Sequence, residues 1–234
     1  MSLLQAGIIG LGVGEQHIPA YEAHPSFEVR SIYDTNKSKL SDVSRRYPSI
    51  NITGNSEEIL RDPSIQVVSI ASYDNFHAEQ ILMALNAGKH VFVEKPLCLF
   101  LDEAAKIAVA LRKRPNLKLS SNLILRCSPR FQDLKTRIIS GELGEVYAVE
   151  GDYNYGRIEK LTDGWRGELD FYSVILGGGV HMVDLIRWLT GAEVEEVFAT
   201  GNRLATAGSR FRHPDYVCTL LRLDNGMRAK MSAN

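Results

Sequence analysis

Short apolar segments alternate with segments of helical periodicity over the first half of the chain. The segments 65–71 and 91–93 are rich in β-branched residues, which is typical of buried strands. The segment 76–87 lies between them, repeats its apolar residues at helical spacing and is followed by Gly88. This strand–helix–strand order predicts an α/β fold with a parallel, doubly wound sheet and right-handed crossovers. Further strands are predicted at residues 4–10, 27–34 and 117–125, and further helices at residues 15–23, 36–47, 56–60 and 101–111.

The pattern changes after about Leu125, where apolar and polar residues begin to alternate as in half-buried antiparallel strands. The turn Asp224-Asn225-Gly226 predicts a hairpin, because Asn-Gly accepts positive φ. The second half is therefore expected to be an α+β domain with an open, mostly antiparallel sheet. We assign the two domains to residues 1–123 and 124–234. The predicted strands of the second domain are residues 146–155, 194–202, 217–223 and 227–231, and a helix is predicted at residues 131–140.

Composition and charge exclude several classes of protein. The 234 residues carry a formal net charge of −1, which gives no basis for binding nucleic acid or an anionic membrane. The three cysteines are far apart and include no CxxC pair, so we expect reduced thiols in a cytoplasmic protein rather than disulfides or a metal site. No apolar stretch reaches about 18 residues, so no transmembrane helix is expected.

A glycine cluster, Gly-Leu-Gly-Val-Gly at residues 10–14, follows the first predicted strand and precedes the first predicted helix. A dinucleotide pyrophosphate needs backbone N–H groups at a helix N-terminus and no Cβ in the way, and such a turn supplies both. Gly10 and Gly12 fit the first two positions of GxGxxG, but Glu15 stands at the third position. An ordinary strand–helix turn is the alternative.

Asp34 ends the second predicted strand, about 20 residues after the glycine cluster, where the dinucleotide fingerprint has an acid. A carboxylate there accepts hydrogen bonds from the ribose 2′-hydroxyl and repels a 2′-phosphate. The sequence therefore favours NAD, with NADP as the alternative because Lys37 and Lys39 follow closely. A helix cap is the structural explanation of the same residue, and the two roles are compatible.

Glu94-Lys95-Pro96 follows the apolar segment 91–93. Ligands of open α/β sheets bind beyond the carboxyl ends of the strands, so we expect Lys95 to enter a crevice. A lysine whose pKa is lowered by burial or by a positive charge can take the hydroxyl proton when an alcohol is oxidised. The alternative is a surface lysine paired with Glu94.

Three motifs lie in order along the chain. Residues 87–96 read Ala-Gly-Lys-His-Val-Phe-Val-Glu-Lys-Pro, and residues 141–146 read Gly-Glu-Leu-Gly-Glu-Val. Residues 177–191 contain Gly-Val-His-Met-Val-Asp followed by Trp-Leu-Thr-Gly. These motifs resemble the AGKHVxxEKP, GxLGxV and GxHxxD…WLxG signatures of the glucose–fructose oxidoreductase, inositol dehydrogenase and rhizopine-catabolism (Gfo/Idh/MocA) family. The resemblance covers nearly the whole chain.

The resemblance implies a Rossmann domain followed by a domain with an open, mostly antiparallel sheet, and NAD(P)-dependent chemistry on sugars, inositols and related polyols. It implies that Lys95 acts on the substrate hydroxyl and that His181 is the active-site histidine, although a lone histidine on an amphipathic helix is usually structural. It places His77 near the nicotinamide, and in the adjoining wall Ser72-Tyr73 stands where the family has Thr-Pro. The candidate cofactor-binding residues are Gly10, Gly12, Val13, Gly14, Asp34, Ser72, His77, Glu94 and Lys95.

The loop before the second glycine run carries Trp165 and Arg166. A ring face and a guanidinium suit the apolar patch and the hydroxyl or carboxylate groups of a sugar, and domain packing is the alternative. Arg126, at the edge of the sheet, is a further candidate. The candidate substrate-binding residues are Lys95, Arg126, Trp165, Arg166 and His181.

The chain departs from the family pattern at Gly177, where the family has an aspartate four residues before the histidine. Asp170 and Asp184 are candidates to replace that carboxylate. The chain also ends at Asn234, directly after a predicted hairpin strand, where an open sheet has an unpaired edge. We expect either a piece of a longer chain, with a shortened second domain, or a partner subunit over this edge in a homodimer or homotetramer formed through the C-terminal sheet.

The expected function is hydride transfer between NAD(P) and a hydroxyl-bearing carbon of a sugar, sugar acid or cyclitol. Lys95 and His181 are the expected catalytic residues and handle the proton. One alternative is a dinucleotide-binding sensor or regulator without turnover, which the substitution at Gly177 motivates. Another is a reductase of substrates other than sugars.

Overall fold

The computed structural model describes residues 3–234, except for the side chain of Trp165. The chain forms two compact units, and the division falls between Asn122 and Leu123. Among the described residues, no helix is both long and apolar enough to cross a bilayer.

The first unit contains a six-stranded parallel sheet, which confirms the predicted doubly wound fold. Its strands are β1 (Leu4–Ile9), β2 (Phe27–Tyr33), β3 (Asn51–Ile52), β4 (Val67–Ile70), β5 (His90–Val93) and β6 (Leu119–Ser121). They lie in the order β3-β2-β1-β4-β5-β6, so the order reverses between β1 and β4. Ligands of open α/β sheets bind at such a point, beyond the carboxyl ends of the strands. The helices of this unit are α1 (His17–Glu22), α2 (Lys37–Arg46), α3 (Ser56–Arg61), α4 (His77–Asn86) and α5 (Leu101–Arg112).

Two apolar clusters cover the two faces of this sheet. β1 contributes Ile9 to one cluster and Ile8 to the other, because successive side chains of a strand point to opposite faces. Leu85 of α4 packs in the cluster of Ile9, whereas Ile18 of α1 and Val43 of α2 pack in the cluster of Ile8. All five side chains are at most 1% exposed. Burial on both faces explains why every residue of the central strand β4 is buried instead of every second one.

Lys89, within the motif at residues 87–96, is a structural residue. It is buried, and its ammonium donates hydrogen bonds to the main-chain carbonyl groups of Asp62 and Ile65. Burial lowers the pKa of Lys89. These bonds join the turn before β4 to the start of β5, and so they help to position the strand that leads to Lys95.

The second unit contains a four-stranded mixed sheet in the spatial order first, fourth, third, second strand along the chain. Its strands are β7 (Ala148–Tyr153), β8 (Val194–Asn202), β9 (Tyr216–Leu223) and β10 (Arg228–Ala233), and its helices are α6 (Pro129–Ile139), α7 (Glu159–Thr162) and α8 (Val180–Thr190). β9 and β10 are antiparallel neighbours, which confirms the predicted hairpin, and Gly226 in their turn has φ +86°.

The direction of β7 differs from the sequence prediction. The sequence predicts an antiparallel strand at residues 146–155, but β7 pairs with β10 in parallel. That prediction is wrong because alternation of apolar and polar residues reports which face is buried and carries no information about strand direction. β8 and β9 are antiparallel, so antiparallel pairs still predominate in this sheet.

Helix α8 packs its apolar face against one side of the second sheet. Met182, Leu185 and Leu189 of the helix form one cluster with Leu221 of β9 and Met231 of β10. The spacing of the three helical residues places them on one face, which explains why the helix forms at this position in the chain.

The glycine run before α8 forms a single π-helical turn, Ile175–Gly179. A Cβ on Gly177 would lie 2.0 Å from the hydroxyl oxygen of Tyr172, and a Cβ on Gly178 would lie 2.3 Å from Cδ1 of Tyr153. The run therefore consists of glycines because two tyrosine rings pack directly against the main chain.

We expect Gly178→Ala to destabilise the second unit by about 1–3 kcal/mol, because the new methyl group would overlap the ring of Tyr153. Thermal unfolding followed by circular dichroism measures the effect. Gly12→Ala is the matched control, since a Cβ there meets no atom of the described residues within 4 Å. Equal melting temperatures for the two variants would contradict this account of the packing.

Candidate active site

The candidate cofactor residues of the first unit lie at one edge of its sheet. Gly10 follows β1, Asp34 follows β2, Ser72 lies beyond β4, and Glu94 and Lys95 follow β5. Since all six strands are parallel, their carboxyl ends meet at this edge. The fold thus brings together residues that are up to 85 positions apart in the sequence numbering, from Gly10 to Lys95.

The structural requirement for glycine differs among the three glycines of the turn. Gly10 has φ +86°, and a Cβ on it would lie 2.3 Å from the carbonyl oxygen of Ala71, so the fold itself requires glycine there. A Cβ on Gly14 would lie 3.0 Å from Cβ of Ala71. At Gly12 a Cβ would meet no atom of the described residues within 4 Å. Protein packing therefore does not explain Gly12.

Asp34 is held beside the glycine turn by the main chain. Its Oδ2 accepts a hydrogen bond from the N–H of Leu11 (2.5 Å), and its Oδ1 accepts one from the N–H of Asn36 (2.6 Å). Asn36 is the N-cap of α2 and accepts from the N–H of Lys39 (3.0 Å). The capping role that the sequence left open for Asp34 thus belongs to Asn36, and the carboxylate of Asp34 faces the turn.

Glu15 departs from the small residue of the dinucleotide fingerprint, and in the structure its carboxylate is paired. It lies in the turn Gly14–Gln16, is 9% exposed, and forms ion pairs with Lys39 and Arg46 of α2. Hydrogen bonds, chiefly from Arg46 and secondly from Lys39, lower the pKa of Glu15, although burial acts to raise it. Sequence reasoning missed these contacts because the partners are 24 and 31 residues away in numbering.

The Glu94 side chain belongs to a buried polar network. Its Oε1 accepts from the side-chain amide of Asn122 (2.7 Å) and lies 3.1 Å from Nε2 of His17, whose Nδ1 lies 2.7 Å from the hydroxyl of Ser69. Burial alone would raise the pKa of Glu94, but the hydrogen bonds from His17 and Asn122 bring it below its ordinary value. The network fixes the end of β5, immediately before Lys95.

His77 fixes the chain on the other side of Lys95. Its fully buried ring has Nδ1 2.7 Å from the carbonyl oxygen of Pro96 and Nε2 3.1 Å from that of Ser72. The hydroxyl of Ser72 donates to Gln80 (2.7 Å). The Lys95-Pro96 peptide bond is cis, and Lys95 is half-buried. The residues before and after Lys95 are therefore both held by buried side chains.

In the second unit, His181 lies on α8 and is 8% exposed. Its ring stacks on Tyr153, with centroids 5.9 Å apart and planes at 24°. Asp184, on the same helix, accepts two hydrogen bonds from the guanidinium of Arg126, at 2.8 and 2.5 Å. This pairing raises the pKa of Arg126. Arg126, a candidate substrate residue in the sequence, is thus bound to a buried carboxylate.

The remaining candidates lie near the glycine run. The guanidinium carbon of Arg166 is 5.6 Å from the ring centroid of Tyr172, whose hydroxyl occupies the space beside Gly177. Asp170, considered as a substitute for the family aspartate, is exposed and pairs with Arg212 (2.8 Å). The predicted role of Trp165 concerns a side chain outside the part of the structure that is described.

Two family models match the chain. One, described as "Oxidoreductase family, NAD-binding Rossmann fold", covers residues 4–122. The other, described as "GFO/IDH/MocA C-terminal domain", covers residues 131–234. The two matches follow the division of the structure into units.

Individual relatives agree with these models. The chain is 28% identical over 231 residues to the uncharacterized oxidoreductase YrbE of Bacillus subtilis, covering 95% of this chain and 64% of the relative. It is 28% identical over 206 residues to the myo-inositol 2-dehydrogenase of Thermotoga maritima, covering 86% of this chain and 59% of the relative. The chain thus spans less than two thirds of the length of these curated relatives.

Among solved structures, the myo-inositol 2-dehydrogenase of Lactobacillus plantarum superimposes with a TM-score of 0.91 at 23% identity. The match covers 100% of this chain and 70% of that one. At this identity the likeness demonstrates the fold alone.

We expect Gly12→Ala to weaken NAD binding by about tenfold or more without lowering the melting temperature, because its methyl group would meet the pyrophosphate and no protein atom. Isothermal titration calorimetry with NAD⁺ measures the dissociation constant. Unchanged affinity in the folded variant would separate this turn from cofactor binding.

We expect Glu94→Gln to lower the melting temperature at pH 7, because the network loses a charge-assisted acceptor worth roughly 1–3 kcal/mol. Since the folded-state pKa of Glu94 is lowered, its stabilisation is present above the unfolded pKa of about 4.3 and is lost as pH falls through the folded value. The difference from the wild type should therefore shrink below about pH 4.

Thermal unfolding between pH 7 and pH 3 tests this expectation. Glu57→Gln is the control, because Glu57 forms an exposed pair with Arg61 that contributes little. A difference between Glu94→Gln and the wild type that is the same at every pH would rule out the ionised carboxylate as its cause.

Proposed function

The chain belongs to the GFO/IDH/MocA family of oxidoreductases, and we propose that the protein transfers a hydride between NAD and a hydroxyl-bearing carbon of a sugar, sugar acid or cyclitol. One observation carries the proposal: Lys95 follows β5 at the same sheet edge as the glycine turn. A titratable amine beside a dinucleotide-binding turn provides the two elements that alcohol oxidation requires.

The residues of the first unit fit NAD. When bound, NAD supplies the hydride acceptor through its nicotinamide ring. Gly12 permits close approach of the main chain to a pyrophosphate, and the carboxylate of Asp34, fixed by the N–H of Leu11, is suited to accept the ribose hydroxyls. This is the basis for assigning NAD rather than NADP.

Lys95 is assigned as the group that takes the hydroxyl proton while the hydride leaves the same carbon. The anchors on either side, Glu94 through His17 and Asn122 and Pro96 through His77, restrict the main chain from which the amine extends. A restricted base needs less ordering to reach the hydroxyl, which lowers the entropic part of the barrier. In the reductive direction the same amine returns the proton.

In the second unit, His181 is assigned to proton relay or to holding the substrate hydroxyl. Its ring is held against Tyr153, and Tyr172 brings a hydroxyl group to the position where the family pattern has a carboxylate. Arg126 is assigned as a positioning residue, because its guanidinium is bound to Asp184 on the helix that carries His181. Arg166 and Trp165 remain the substrate-binding candidates.

The substrate class rests on the relatives. The name of the Thermotoga maritima relative specifies myo-inositol as its substrate. We therefore place cyclitols first among the substrates of this protein, ahead of sugars and sugar acids.

We expect Lys95→Met to reduce kcat by roughly 100-fold or more on whichever polyol the wild type oxidises, because the hydroxyl proton loses its acceptor. The assay follows NADH formation at 340 nm with myo-inositol, scyllo-inositol and a set of aldoses and aldonic acids. NAD binding, measured separately by calorimetry, should change far less than kcat.

Lys113→Met provides the matched control, since Lys113 is an exposed lysine at the end of α5. Turnover by Lys95→Met equal to that of the control would remove Lys95 from the reaction. NAD binding without turnover across the whole substrate set would instead support a regulator.

A further inference from the structure

Glu15 stands where the dinucleotide fingerprint has a small residue, yet its carboxylate is among the most thoroughly paired in the first unit. It contacts two cations of α2, the ammonium of Lys39 and the guanidinium of Arg46. We propose that Glu15 determines cofactor specificity by withholding both cations from a 2′-phosphate, so that the protein prefers NAD over NADP. The inference rests on the proposed function, because it presumes a dinucleotide at the glycine turn.

Asp34 connects Lys39 and Glu15 with the expected position of the adenosine ribose. Asp34, the candidate ligand of the ribose hydroxyls, accepts from the N–H of Leu11 in the glycine turn. Lys39 lies in the first turn of α2, five residues after Asp34, and its N–H is bound by the cap residue Asn36. Its ammonium reaches back to Glu15 at the start of the helical region that follows the glycine turn. The ammonium thus belongs to the helix that begins just after Asp34, and it is already paired with a carboxylate.

The two cations share one face of α2. Lys39 and Arg46 are seven residues apart, which is about two helical turns, so both point towards Glu15. In Rossmann folds a cation near the ribose accommodates the 2′-phosphate of NADP. Here Lys39 and Arg46 could each serve that purpose, and the single carboxylate of Glu15 engages both.

The charges of these side chains and the burial of Glu15 disfavour a 2′-phosphate. Asp34 and Glu15 carry two negative charges, and Lys39 and Arg46 carry two positive charges, so the group is electrically balanced. The Glu15 side chain is 11% exposed, against 36% for Lys39 and 52% for Arg46, and solvent therefore screens its charge least. A 2′-phosphate entering here would meet a buried carboxylate and two neutralised cations, whereas a 2′-hydroxyl would meet no such penalty.

The test measures dissociation constants by isothermal titration calorimetry, with NAD⁺, NADP⁺ and adenosine 2′,5′-bisphosphate as probes. The last probe carries the 2′-phosphate without a nicotinamide, so no catalytic step enters the readout. The variants are Glu15→Gln, Lys39→Gln and their combination. Asp42→Asn is the matched control: it also removes one negative charge, but it lies in an exposed pair with Arg45 on the same helix.

We expect Glu15→Gln to tighten binding of NADP⁺ and of the bisphosphate by roughly fivefold to twentyfold, with little change for NAD⁺. Because Asp34 remains, the preference for NAD should narrow without reversing. Combining Lys39→Gln with Glu15→Gln should remove most of the increase in NADP⁺ affinity that Glu15→Gln produces alone. Lys39→Gln should lower NADP⁺ affinity less in the wild-type background, where Glu15 holds the ammonium, than in the Glu15→Gln background, and Asp42→Asn should not change the ratio of the two affinities.

Two results would overturn the inference. One is a ratio of NAD⁺ to NADP⁺ affinity in Glu15→Gln that equals that of the control. The other is a loss of NADP⁺ affinity on Lys39→Gln that is as large in the wild-type background as in the Glu15→Gln background, which would show that Lys39 already binds the phosphate in the wild type. Failure of the wild type to bind any of the three probes would refute dinucleotide binding itself, and is distinguishable from both.

Discussion

A parallel sheet places the carboxyl ends of its strands at one edge, and the candidate cofactor site depends on this constraint. Gly10, Asp34, Ser72 and Lys95 come from four separate parts of the sequence and meet because each follows a strand of the same direction. The strand order reverses between β1 and β4, which is the kind of point at which open α/β sheets bind their ligands. Apolar side chains on both faces of the sheet stabilise this arrangement. Exposing either face to water would lose the free energy gained by burying its apolar surface.

Buried polar groups restrict the main chain around Lys95 more closely than the sheet alone does. The carboxylate of Glu94 and the ring of His77 anchor the chain immediately before and after Lys95, through partners on other elements. Buried polar groups are stable only when they are hydrogen-bonded, so these contacts restrict the main chain as well as satisfying the groups. In the second unit the corresponding contacts are aromatic: Tyr153 and Tyr172 pack on the glycine run before α8, the helix that carries His181.

Gly10 and Gly12 belong to one motif, but the fold constrains them differently. Both fit the fingerprint, but only Gly10 is required by its backbone conformation and by the carbonyl of Ala71. The sequence pattern alone cannot divide them, since both are simply glycines in a turn. Arg126 is a parallel case: its position at the edge of the predicted sheet makes it a candidate for substrate binding, and only the structure revealed that Asp184 engages it.

The sequence by itself determined the alternation of strands and helices, the glycine turn, the acid at the end of β2 and the lysine after β5, because periodicity and turn chemistry are local properties of the chain. Only the tertiary structure decided that β7 runs parallel to β10, that Glu15 engages the cations of α2, and that Tyr172 occupies the space beside Gly177. These features join residues that are distant in the chain or depend on how a side chain fills space, and neither is encoded in local pattern.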